Sequence, residues 1–254
     1  MNTNQLSLKI VVALAFAVAL ASPGPVQAQT IRLSVDFDSM ATGVVDTVGS
    51  TSPTLSELDA ATMGGSWDFN TAVGVPYIRE DGGGQGDQAL EVSTGSASAT
   101  PAGLNFDSPI IPNKITSSDP AIIAFDTSQR TGTGFTRDAH WRLYSDTDLL
   151  FTLTLDDGDI ELNGAAFGDV GVGVNEGLAT WDSTSELIWP VSFSIYSDGH
   201  LHIDFDGHTN SVTISTAATV DRLEIAWGNT PNGIYLNDIT VTDPAPQGTV
   251  ITLR

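Results

Sequence analysis

His140, Arg142 and Tyr144 alternate with Trp141 and Leu143, so an extended backbone puts the three polar side chains on one face and the apolar ones on the other. An imidazole and a phenol can take up and return a proton, and a guanidinium can neutralise a carboxylate on an acidic sugar. The same three suit a simpler task. Sugar recognition needs an aromatic face for stacking and a few planar hydrogen-bonding groups. Tyr196, His200 and His202 form a second group beside a later hairpin. A third, Asp157, Asp159 and Glu161, holds the kind of paired carboxylates that glycoside hydrolysis uses. Asp238 is a different case, a carboxylate inside an otherwise apolar strand. It either faces solvent or needs a partner, for which a bound cation is a natural candidate.

Strands must position these groups. Leu223, Ile225 and Trp227 alternate with Arg222, Glu224 and Ala226, which predicts a half-buried strand over Leu223–Trp227. A turn-rich cluster, Gly228 to Gly233, joins it to a second strand over Ile234–Val241. Apolar parity in that strand switches between Leu236 and Ile239, so a one-residue bulge at Asn237-Asp238 would keep both apolar pairs on the core face. Two hairpins follow from register. A two-residue turn at Asp157-Gly158 pairs Leu155 with Ile160 and Leu153 with Leu162. A three-residue turn, Ser197-Asp198-Gly199 with Gly199 left-handed, pairs Ile195 with Leu201 and Phe193 with Ile203. Further strands are expected at Ile31–Phe37, around Trp67-Asp68-Phe69, at Gln88–Val92, at Leu104–Phe106 and at Ala121–Phe125, with one short helical turn near Leu55–Asp59. Trp141 and Trp227 share the apolar parity and belong in the core. Trp67, Trp181 and Trp189 either fill the core or form an exposed aromatic platform.

Export is expected. Lys9, the apolar run Ile10–Ala21 and the Val26-Gln27-Ala28 cut site read as a signal peptide over residues 1–28. No later segment is apolar enough to span a bilayer, so a secreted, periplasmic or cell-surface product without an integral membrane segment is expected. Residues 29–243 suit one all-β domain followed by a C-terminal extension over 244–254. Removing the leader leaves 8 basic against 31 acidic residues, a net charge of −23. That field repels nucleic acid and other polyanions and attracts divalent cations. With no cysteine, stability rests on a sizeable core and no disulfide contributes. Apolar and polar faces on antiparallel strands call for a two-layer β-sandwich, and this length favours a jelly roll.

Three stretches carry a resemblance: Val35-Asp36-Phe37-Asp38-Ser39, Gly86-Asp87-Gln88-Ala89-Leu90-Glu91-Val92, and Ile234-Tyr235-Leu236-Asn237-Asp238-Ile239-Thr240-Val241. In this order the chain resembles the concanavalin A-like jelly rolls of exported bacterial proteins, a group with laminin-G-like, lectin-like and glucanase-type members. The resemblance implies a structural Ca²⁺ tying the first strand to the last, held by Asp36 or Asp38, a carbonyl of Gly43 or Gly86, and Asp238. It also names catalytic patterns to look for. The nearest match to the glucanase E-x-D-x-x-E pattern is Asp157, Asp159 and Glu161, but the register puts Asp157 inside the hairpin turn, so the three do not share a strand, and Gly164 stands where the expected third carboxylate would fall. The Arg- and Gln-bearing motifs of the jelly-roll lyases are not present as such.

The expectation is therefore an exported, Ca²⁺-stabilised β-sandwich that binds a polysaccharide or glycoconjugate, or attaches to a surface or matrix, without catalysis. His140, Arg142, Tyr144, Tyr196 and His202 are its candidate glycan contacts. The rivals are a polysaccharide lyase or glycoside hydrolase on the same fold, and a structural envelope or matrix protein.

Overall fold

A computed structural model describes residues 29–46, 52–69, 74–80, 88–94, 102–129, 138–156, 158–170, 188–227 and 233–244. All lie in one compact unit, Gln29–Pro246. The expected leader and most of the C-terminal extension fall outside the described residues.

Strands numbered in chain order form two antiparallel sheets. The ten-stranded sheet runs β15 (His208–Thr213), β14 (His200–Phe205), β13 (Trp189–Ile195), β8 (Ala121–Gln129), β17 (Gly233–Asp243), β6 (Gln88–Thr94), β5 (Gly74–Glu80) and β2 (Gly43–Val44). To it belong β1 (Thr30–Val35), paired with β17, and β3 (Thr62–Met63), paired with β1. The seven-stranded sheet runs β12 (Ala165–Asp169), β11 (Asp159–Leu162), β10 (Asp148–Asp156), β9 (Asp138–Ser145), β16 (Val220–Trp227), β7 (Ala102–Ile110) and β4 (Gly65–Phe69). One short helix, α1 (Leu55–Ala60), begins on a capping box between Thr54 and Glu57, which satisfies two otherwise orphaned amide groups.

Period-2 patterning sends alternate residues of each sheet inward, and the two inner faces meet in one core. Trp141 and Phe151 reach across to Phe205 and Phe193, with ring centroids 5.6 and 5.1 Å apart in edge-to-face geometry. Phe125 meets Phe193 edge-on at 5.7 Å. Such contacts add orientation to the burial energy of each ring. Trp67 and Trp189 are 4% and 3% exposed, so both fill the core and neither forms a platform. Trp181 and the Trp227 side chain lie outside the described residues.

Both hairpins hold the expected register. Leu155 faces Ile160 and Leu153 faces Leu162; Ile195 faces Leu201 and Phe193 faces Ile203, with Gly199 at φ +83°. The two strands joined through Gly228–Gly233 do not pair with each other, since β16 belongs to one layer and β17 to the other. β17 closes the sandwich. Its first half pairs with β6 and its second half with β1, where Ser34 faces Thr240. At the change-over Asn237 faces Asp126 and Thr240 faces Ala124. Three steps on one strand thus oppose two on the other, the expected bulge, and Asp238 occupies it at φ +51°. Ile234, Leu236, Ile239 and Val241 all remain buried.

Arg32 clamps the layers at this seam. From β1 it donates to the carbonyls of Ser108 (3.0 Å) and Pro109 on β7, and it pairs with Asp243 at the end of β17.

Candidate functional site

β9 and β16 lie side by side in the seven-stranded sheet, and their register decides which outward side chains meet. Arg142 stands opposite Glu224, Tyr144 opposite Arg222, and His140 opposite Ala226. On the far side of β16, Glu224 faces Gly103 and Arg222 faces Asn105 of β7. Asp68 of β4 then faces Gly103. The outer face therefore carries rows of polar side chains over a rigid ladder.

Glu224 is the hub. Its carboxylate accepts from Arg142 at 3.0 Å and from the Tyr144 hydroxyl at 3.3 Å, and the Arg222 guanidinium lies 3.9 Å away. Arg222 also donates to Asn105 at 2.9 Å and to Asp68 at 3.2 Å. It can do so because Gly103 has no side chain, and a Cβ there would fall 2.1 Å from the guanidinium. His140 Nδ1 sits 3.0 Å from Thr154 Oγ1 of β10. Burial, reinforced by the positive charge of Arg142, holds the imidazole below its ordinary pKa. Burial and then the Glu224 charge raise the Tyr144 phenol, which keeps it a hydrogen-bond donor. Such a face can grip hydroxyl groups and stack on a ring.

The alternation of Arg222 and Glu224 was legible in the strand, but its apposition to β9 was not. Glu224 was consequently missed as a site residue. Tyr196 and His202 are not part of this face. Tyr196 follows the end of β13 and His202 lies on β14 in the other sheet, where the Tyr196 ring is 5.7 Å from that of His200. Asp159 and Glu161 face Asp156 and Thr154 across the β10–β11 hairpin, while Asp157 lies outside the described residues.

The carboxylates expected to hold Ca²⁺ fall just after β1 and in the β17 bulge. Asp38 Oδ1 accepts from the Gln88 amide at 2.7 Å, beside the point where β17 leaves β6. Asp36 and Asp238 are exposed. Asp238 lines a groove of about 640 Å³ with Asp126, Asp204 and Asp206. Gly43 adopts φ +143°, and Gly86 lies outside the described residues. Among the described residues no three carboxylate or imidazole groups converge as metal ligands, so Ca²⁺ here would rely on carbonyl and water oxygens besides Asp side chains.

Strand order and layers make this a two-layer antiparallel β-sandwich of the jelly-roll type. A carbohydrate esterase, vb_24B_21, from the Shiga toxin-encoding bacteriophage phi24B superposes with a TM-score of 0.53 at 14% identity, covering 85% of this chain and 99% of its own. The CBM2 module of an evolved Dit protein from Lactobacillus casei BL23 phage J-1 gives 0.47 at 12% identity over 88% and 99%. The metal-free carbohydrate recognition domain of Emp46p gives 0.42 at 9% over 84% and 99%. No protein family and no curated protein matches the chain.

Proposed function

We propose that this protein binds carbohydrate, and that the outer face of the seven-stranded sheet is the surface that does so. The observation that carries the reading is the Glu224 carboxylate, held among Arg142, Tyr144 and Arg222 on an otherwise open sheet. Planar donors and acceptors fixed in advance lose little entropy when they meet sugar hydroxyls, and Tyr144 adds a ring to stack against. Polymers of uronic acid are poor candidates, because a chain of net charge −22 repels them. Neutral polysaccharides or glycoconjugates fit better.

The surface would act outside the cell, after removal of residues 1–28. The run Ile10–Ala21 before a small-residue cut site supports that reading. Among the described residues no helix is long and apolar enough to cross a membrane. A stabilising Ca²⁺ at the β1–β17 seam is part of the same proposal, supported by Asp38 and the bulged Asp238 standing near one strand change-over.

A glycan array read with the full mature chain tests the reading. Retention of neutral glycans that Glu224→Ala abolishes is the expected result. Shortened glycan chains would replace it with a hydrolase or lyase, and no retention of any glycan would leave a structural role.

A further inference from the structure

A local departure from the molecule's acidity lies at the seam of the sandwich, away from the sugar face. A groove of about 450 Å³ opens there beside Arg32, Lys114 and Asp243, over Ile110, Ile111 and Ile115. Lys114 is the only lysine after Lys9. It ends a 3-10 turn, Pro112–Lys114, whose amides are tied to Thr216, Ile111 and Pro112 carbonyls. That anchors the backbone while the side chain stays exposed, and among the described residues the ammonium has no ion pair or hydrogen bond. Arg32 differs, since its guanidinium is already committed to two carbonyls and to Asp243.

Charge limits what can enter. Two cations against one carboxylate leave the lining with one net positive charge, inside a molecule of net charge −22. A monoanion meets that local charge, whereas a dianion or polyanion is opposed by the surrounding field. Size and lining limit it further. The volume lies within the roughly 300–1,000 Å³ of small-molecule sites, which are mostly apolar with a few placed polar groups. An exposed ion pair alone adds only about fivefold to an affinity or less, so the apolar body must supply most of the binding. We infer that this groove binds a small amphipathic monocarboxylate, its carboxylate on the Lys114 ammonium and its apolar body along the isoleucines.

Titration of the full mature chain with 4-phenylbutyrate, 4-phenylbutyramide and acetate, followed by ligand-observed NMR, tests this. Phenylbutyrate should saturate with a Kd at or below about 1 mM, the amide should bind about fivefold more weakly, and acetate should not saturate. Lys114→Met should erase the preference for acid over amide with an unchanged melting temperature, because the side chain is exposed; Lys114→Arg should keep it. Absence of saturation by about 10 mM, equal binding of acid and amide, or a Lys114→Met variant that still prefers the acid would each overturn the inference.

Discussion

The outer faces of the two sheets began as the same sequence pattern and ended differently. On the ten-stranded sheet Tyr77, Glu91, Tyr235 and Ser128 stand in one row across β5, β6, β17 and β8. Glu91 and Ser128 are 1% exposed and Tyr235 is fully buried. Arg79 pairs with Glu91 and lies 3.7 Å over the Tyr77 ring. Ile188 packs over Tyr235 and Ala89. On the seven-stranded sheet the corresponding row around Glu224 keeps His140, Arg142, Tyr144 and Arg222 partly exposed. Glu224 itself is 8% exposed, so the difference lies in the carboxylate and its neighbours: Glu91 is sealed beneath its row, whereas Glu224 is reached through the partly exposed side chains around it.

The largest expected effect separates the two pairs by stability. Arg79→Ala removes the guanidinium from a Glu91 carboxylate that is only 1% exposed, which should cost about 3–5 kcal/mol. The guanidinium holds its proton more firmly than usual: burial opposes the charge, but the Glu91 hydrogen bond and charge outweigh it. Arg142→Ala should cost only about 1–2 kcal/mol, because Glu224 keeps Tyr144 and Arg222 as neighbours. Urea denaturation measures both. Equal losses would mean that covering makes no energetic difference.

Binding should sort the faces the other way. Tyr144→Ala is expected to weaken retention of a glycan identified on the array by about tenfold or more, and Tyr77→Ala to change it less than about twofold. Isothermal titration with that glycan gives both numbers. The reverse order would move the sugar surface to the ten-stranded sheet.

A smaller effect concerns the Ca²⁺ proposed at the seam. With Ca²⁺ bound, chelation should lower the melting temperature by about 3 °C or more, and Asp238→Asn should abolish that response. An unchanged melt, with no metal in the purified protein, would remove Ca²⁺ from the β1–β17 seam.

Much of this could be read along the chain, because period-2 patterning and turn chemistry are local. The two hairpins, the bulge at Asp238 and the inward-facing Trp141 all followed from parity and from Gly or Asp at the turns. Side chains that meet across non-consecutive strands were harder. Glu224 and Arg142 are neighbours only because β16 lies beside β9, a pairing separated by 82 residues. Glu91 carried no sign that Arg79 would pair with it, nor Tyr235 that Ile188 would cover it. Trp67 and Trp189 read as possible platforms because they stand near strand ends, yet the closing of two layers buried both. Alternation names a face; only the assembled sandwich decides whether that face is covered.

The smallest effect uses His140 to report how dry the open face is. Its imidazole is held below the ordinary value of 6.5, first by burial and then by Arg142, while Asp156 pulls weakly the other way. The unfolded chain therefore takes up a proton at a higher pH than the folded one. Between the folded and unfolded values the unfolded state binds more protons, so stability rises with pH through that window and reaches its full value above 6.5. His140→Gln should flatten this part of the stability profile and leave the carboxylate-driven loss at lower pH in place. Urea midpoints collected from pH 5 to 8 resolve the difference. An unchanged slope in the variant would mean that the imidazole is as well hydrated as in the unfolded chain, and the contrast between the two faces would then be sharper than the packing around His140 implies.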